Sequence, residues 1–244
     1  PGMSKLVYVV YETGTRLSSR LTSRAGESWM FKSYLQIVLC FGCVTAAALA
    51  QAEEWTQFRG SDYGRTSETN VAERWVSEVV AWRTPLPGRG ASSPAVFNNR
   101  IYLTAYTGYG IDRKAPGDPA DLVRHALCIE SEHGKIVWRQ PGINRAWNTP
   151  VIYRAPSGSD ELAVTIAEKI LAFDPGTGKP LWNCDGIKDY ICPQITVQNG
   201  ILYASGGRSS KMIAIRSGGS GDVTESHRIW ELAKGSNVSS PVYH

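Results

Sequence analysis

The groups in this chain that could do chemistry are 22 carboxylates, four histidines and five cysteines. His125, His133, His227 and His244 stand at no spacing that would bring two imidazoles onto one metal ion. Asp112, Asp118 and Asp121 fall in a stretch, residues 107–125, rich in Gly, Pro and charge. They lack the alternating oxygen positions of a calcium loop, so the stretch reads as a solvated loop. It is also the place where a ligand would first be sought, because loops carry binding functions. Cys128, Cys184 and Cys192 are the cysteines beyond residue 52. Cys184 and Cys192 lie eight apart across a turn-rich stretch, which leaves two readings open. They form a disulfide, or each is a small buried apolar residue. No Ser/His/Asp arrangement, phosphate loop or kinase motif is recognisable. Asn237-Val238-Ser239 matches a glycosylation sequon, which reads as accidental.

Charge narrows the partners. The net charge is +4, but residues 1–52 carry five bases and two acids, leaving 21 bases and 20 acids in the remainder. That remainder has no basic block of the kind that tracks nucleic acid or an anionic membrane surface. At 42% hydrophobic residues the chain can bury a core, which excludes wholesale disorder.

From Met30 the chain reads as an export signal over residues 30–52. Lys32 is followed by a mostly apolar run over 34–49, then by Ala48-Leu49-Ala50 and Ala50-Gln51-Ala52 with small residues at cleavage-type positions. The rival reading is a retained anchor, the chain's one route to a membrane. The run of about 16 residues contains Gln36 and Thr45 and is short of the roughly 20 residues that span a bilayer. Residues 1–29 are an upstream extension, either disordered or translated ahead of the true start. The fold is expected in residues 53–244, in a periplasmic or extracellular setting.

These side chains must be positioned by strands, and the strands repeat. A proline that opens an apolar stretch recurs at Pro94, Pro150, Pro193 and Pro241, with spacings of 56, 43 and 48 residues. Trp82, Trp138, Trp182 and Trp230 are spaced by 56, 44 and 48. Two independent markers therefore share one rhythm. A period of about 45 residues filled with short strands points to four-stranded propeller blades. β-Branched and aromatic runs at 100–104, 162–166, 169–173, 201–204 and 212–215 supply the strands, and Asn199-Gly200 marks a tight hairpin. A weak helical period covers 71–80.

The segment Ala172-Phe173-Asp174-Pro175-Gly176-Thr177-Gly178-Lys179-Pro180-Leu181-Trp182 closely resembles the tryptophan-docking repeat of PQQ-type (quinoprotein) β-propellers. A degraded copy runs from Cys128 through Gly134 to Trp138. A third keeps Ala214 and Trp230 around a longer Gly/Ser-rich turn at 217–227. Trp55-Thr56-Gln57-Phe58-Arg59-Gly60 and Ala81-Trp82-Arg83-Thr84-Pro85 resemble the start of exported PQQ-like propeller proteins of planctomycete type. The resemblance implies an all-β fold, an incomplete PQQ-like β-propeller of about three four-stranded blades plus the start of a fourth, read as the beginning of a longer propeller. It implies blade-docking roles for Cys128, Gly134, Trp138, Ala172, Gly178, Trp182, Ala214 and Trp230, each tryptophan bracing neighbouring blades.

Two functions follow as expectations. The first is a non-catalytic scaffold that binds an envelope protein or a glycan, with no catalytic residues, metal or cofactor and no nucleic acid. The second is a fragment of a PQQ-dependent dehydrogenase holding PQQ with calcium. Against the second, the chain has no adjacent Cys pair, no identifiable Glu/Asn/Asp ligand set and fewer blades than such enzymes use.

Overall fold

The computed structural model of the chain describes residues 54–60, 62, 64–66 and 76–243. The export segment, Cys40, Cys43, His244 and the first part of the weak helical period (71–75) lie outside the described residues. Of the remainder of that period, Ser77–Val79 form a single 3-10 turn rather than a helix.

The strands follow chain order. The first sheet contains β1 (Ala95–Phe97), β2 (Arg100–Thr107), β3 (Val123–Glu130) and β4 (Ile136–Pro141). The second contains β5 (Val151–Arg154), β6 (Asp160–Ile166), β7 (Lys169–Phe173) and β8 (Pro180–Asp185). In the third, β9 (Thr196–Gln198), β10 (Ile201–Gly206) and β11 (Lys211–Arg216) are joined by β13 (Arg228–Leu232). A two-residue strand β12 (Gly221–Asp222) and one helical turn α1 (Thr224–His227) come between β11 and β13. Apart from β12, which adds in parallel to the edge of β8, each sheet is a four-stranded antiparallel meander, which is the build of a propeller blade. The fold is all-β, built of successive propeller-type blades.

Local chemistry accounts for these elements. Pro94 and Pro150 directly precede β1 and β5, where a missing N–H costs no ladder bond. The β1–β2 and β9–β10 turns carry positive φ at both central residues, Asn98-Asn99 (48° and 56°) and Asn199-Gly200 (50° and 72°). Asn and Gly tolerate that conformation, and it matches the twist of the flanking strands.

The second sheet shows how the blades stack. Leu162, Val164 and Phe173 face one buried cluster with Tyr102, Ala126 and Cys128 of the first sheet. Ala163, Ile170, Ala172 and Trp182 face another with Leu202, Ile213 and Ile215 of the third. A sheet buried on both faces needs apolar residues on both sides of the pleat, so β6 and β7 read as near-continuous apolar runs.

The N-terminal segment crosses these layers. Trp55 exchanges both backbone hydrogen bonds with Val96 of β1 (2.9 and 2.7 Å), and Thr56 O accepts from Ile152 N of β5 (2.9 Å). Phe58 N donates to Gln194 Oε1, just ahead of β9 (2.7 Å). Six residues thus touch the opening of all three sheets. Gly60, at φ 65°, lets the Trp55 ring pack where a Cβ would lie 2.7 Å from Cε3.

Candidate functional site

The alternation of strand direction sorts the connections to two ends of the fold. One end holds the β1–β2, β3–β4, β5–β6, β7–β8 and β9–β10 turns. The other holds the β2–β3, β4–β5, β6–β7, β8–β9 and β10–β11 connections.

The first end carries the tryptophan contacts. In every sheet a small residue of the third strand pairs across from a tryptophan of the fourth: Cys128 with Trp138, Ala172 with Trp182, Ala214 with Trp230. Each pair is followed by a register shift, between Cys128/Ile129, Ala172/Phe173 and Ala214/Ile215. A short side chain opposite leaves room for the indole. Trp138 Nε1 donates to Pro175 O in the β7–β8 turn (3.0 Å), and Tyr102 Oη donates to the same carbonyl (3.2 Å). Trp82 Nε1 donates to Ser131 O, the corresponding carbonyl of the β3–β4 turn (2.7 Å). Gly178 and Gly134 sit under these indoles at φ 73° and 74°. A Cβ on Gly178 would lie 2.6 Å from Trp138 Cδ2, and one on Gly134 would strike Trp82 and Thr84.

Trp182 is held differently. Its Nε1 donates to Glu161 Oε2 of its own sheet (2.8 Å), which also accepts from Tyr153 Oη (2.6 Å). Burial first and Glu161 second push the Tyr153 phenol above its ordinary range. The cause lies in β6. Where the first and third sheets have Tyr102 and Tyr203 against their tryptophans, with ring centroids 6.0 and 6.1 Å apart, the second has Ala163 paired with Ala172. The turn at 217–227 does not repeat the docking turn either. Its β12 adds in parallel to β8, pairing Gly221 with Trp182, and Val223 N donates to Asn183 O (2.8 Å).

Glu130, Glu132 and His133 converge in the β3–β4 turn, with ligand atoms within 4.8 Å of one another. The Glu130 carboxylate accepts from Glu132 N (2.8 Å) and His133 N (2.9 Å), and these bonds with the His133 ring hold its carboxyl below the ordinary range. The turn explains the cluster. Among the described residues the three cysteines are free: Cys128 and Cys184 are buried and Cys192 is half-buried, so no Cys184–Cys192 bond forms. Burial pushes the Cys128 thiol up to about 11, which leaves it unreactive.

The second end is where long-range side chains meet. Residues 108–122 project from the β2–β3 hairpin, with one 3-10 turn at Pro119–Asp121 capped by Asp118. His125 lies in β3, not in the loop, and is 2% exposed. Its Nε2 faces Thr107 Oγ1 (2.9 Å) and Arg139 Nη2 (2.5 Å), and Nδ1 has no partner. Burial, and then the Arg139 charge, lower its pKa. Beside it, the Arg124 guanidinium lies 4.8 Å over the Trp147 ring. Trp147 meets Tyr190 edge-on at 6.1 Å, and Arg208 lies 5.3 Å over the Tyr190 ring. Burial, and then the charge of Arg145, lower the Arg124 pKa.

The backbone under this row is tied together. Trp147 N donates to Ile191 O (3.0 Å), Ile191 N to Arg145 O (3.1 Å) and Tyr190 N to Asp189 Oδ1 (2.8 Å). Sequence reasoning missed the row because its members come from one strand and three separate connections. One signal was available: Trp147 and Tyr190 each stand three residues before a strand-opening proline, Pro150 and Pro193.

No protein-family profile and no curated protein matches the chain. Similar solved structures include the quinohemoprotein alcohol dehydrogenase ADHIIG from Pseudomonas putida HK5, at 13% identity over 62% of this chain and 22% of that one, with a TM-score of 0.42. BamB from Moraxella catarrhalis is similar at 14% identity over 62% of this chain and 41% of that one, with a TM-score of 0.38. A europium-containing methanol dehydrogenase is similar at 15% identity over 57% and 23%, with a TM-score of 0.37. The chain matches less than half the length of any of these three. The blade assignment rests on the strand order and register above.

Proposed function

We propose that this chain is part of an exported PQQ-like propeller that binds a protein or a glycan on its loop end and catalyses nothing. The observation that carries the reading is the Arg124–Trp147–Tyr190–Arg208 row, aromatic and cationic side chains gathered at one end of the sheets on hydrogen-bonded loops. Trp147 is 39% exposed, which leaves ring surface open at this end. The tryptophans at the opposite end serve as braces between blades, and they free the loop end to vary.

A quinone cofactor with a calcium-type ion would need carboxylate and amide oxygens converging on a cavity. The described residues do not fit it. The buried carboxylate Glu161 is taken by Tyr153 and Trp182, and the Glu130 cluster is an exposed turn. Export rests on the charged start, apolar run and small residues of segment 30–52.

The test has two arms. Immobilised chain and its Trp147→Ala variant are compared for retention from envelope extract and on a glycan array. Retention by the parent alone supports the reading. Titration with PQQ and calcium, followed by an alcohol or sugar and a redox dye, is expected to give no dye reduction. Reduction would replace the scaffold with an oxidoreductase.

A further inference from the structure

Deepening that reading, we infer that the loop-end row is a binding site for a carboxylate-bearing glycan. Several features lead there. Arg124 and Arg208 lie over aromatic rings, which fixes the guanidinium planes and leaves their N–H edges to address a planar anion in bidentate fashion. The Arg145 charge acts on Arg124 and on the Asp189 carboxylate alike, and among the described residues Arg124 is in no ion pair. Two like charges held together on a tied backbone favour an anion between them. Asp189 stands among these residues, 3.8 Å from Arg208 and committed through Oδ1 to the Tyr190 amide.

The remaining features choose among anions. Trp147 and Tyr190 present ring surface suited to the C–H faces of a sugar. The backbone groups that an extended peptide would pair with are already used, Arg145 and Trp147 with Ile191.

The test uses the chain with oligogalacturonate as the probe, followed by calorimetry. Binding is expected, weakening as salt is raised and lost when the carboxylates are methyl-esterified. Arg124→Gln and Arg208→Gln should each weaken it by about tenfold or more, with Arg124→Lys intermediate because it keeps charge without the fork. Unchanged melting temperatures in these variants separate lost binding from lost fold. Absence of binding by the parent chain overturns the inference, as does equal affinity for the methyl ester or equal affinity in the glutamine variants. Polyglutamate that binds as tightly and competes also overturns it, in favour of an acidic peptide. In each of those cases the scaffold reading stands if Trp147→Ala still abolishes retention of some ligand, and falls with it if the variant retains all that the parent does.

Discussion

The joint between the first and second sheets and the joint between the second and third solve one problem with different parts. At the first, Trp138 leans outward with Tyr102 behind it and both reach the Pro175 carbonyl of the neighbouring turn. At the second, Trp182 is 2% exposed, bonded inward to Glu161, and the neighbour comes to it by adding β12 to the edge of β8. One methyl-sized position decides the difference. Ala163, standing where the other sheets have tyrosine, leaves the indole room to sink. A tryptophan in a repeat motif is therefore not one interaction. Its partner depends on the residue opposite and on the turn that follows.

Substitutions can break that contrast, and the largest effect is expected at Trp182. Trp182→Ala should cost about 3–5 kcal/mol, the range for truncating a fully buried aromatic, read by denaturant unfolding. An unchanged transition would show that Trp182 is no buried wedge. Next is Glu161→Leu, which strips the acceptor from two buried donors and should cost about 2–5 kcal/mol. The same method should find Glu161→Gln milder, since the amide oxygen still accepts.

Gly178→Ala should cost about 1–3 kcal/mol from positive φ, with the clash against Trp138 added. A double-mutant cycle sharpens the point. In the Trp138→Ala background the added methyl meets no indole, so the two changes should couple by about 0.5–3 kcal/mol. Strict additivity would mean that Trp138 and Gly178 do not act as a unit.

The smallest effect is a pH dependence at His125. Burial and Arg139 lower its pKa in the fold below the ordinary 6.5. Its contribution to stability is therefore full above about pH 6.5 and is lost as pH falls through the lower folded value. Melting temperature should decline on acidification below about pH 6.5, less steeply in His125→Gln. Equal slopes would remove the imidazole from the account.

The strands were legible because their signals are local. Residues 162–166 and 169–173 announce β6 and β7 by composition, and Asn199-Gly200 announces its turn. The three register pairs could be lined up from a small residue and a tryptophan at matching positions. Glu161 could not be assigned, because a carboxylate at the head of an apolar strand reads as exposed until Tyr153 and Trp182 are seen to converge on it. Nor could the loop-end row, whose contacts join residue 124 of β3 to residues 147, 190 and 208 of three connections. The turn at 217–227 read as a longer loop, and its capacity to lend a strand to the previous sheet depends on an edge that no local pattern displays.

The segment from Trp55 to Gly60 has a consequence in time rather than in space. It is synthesised before any strand it touches, and its bond from Phe58 to Gln194 spans 136 residues of chain. Contacts of that separation are slow to close, because the intervening loop must first surrender its freedom. Each meander, by contrast, pairs neighbours and forms locally. Order of assembly is then the reverse of order of synthesis at this one place. The sheets are expected to gather first, with residues 55–60 closing onto them last, as the latch on a stack already built.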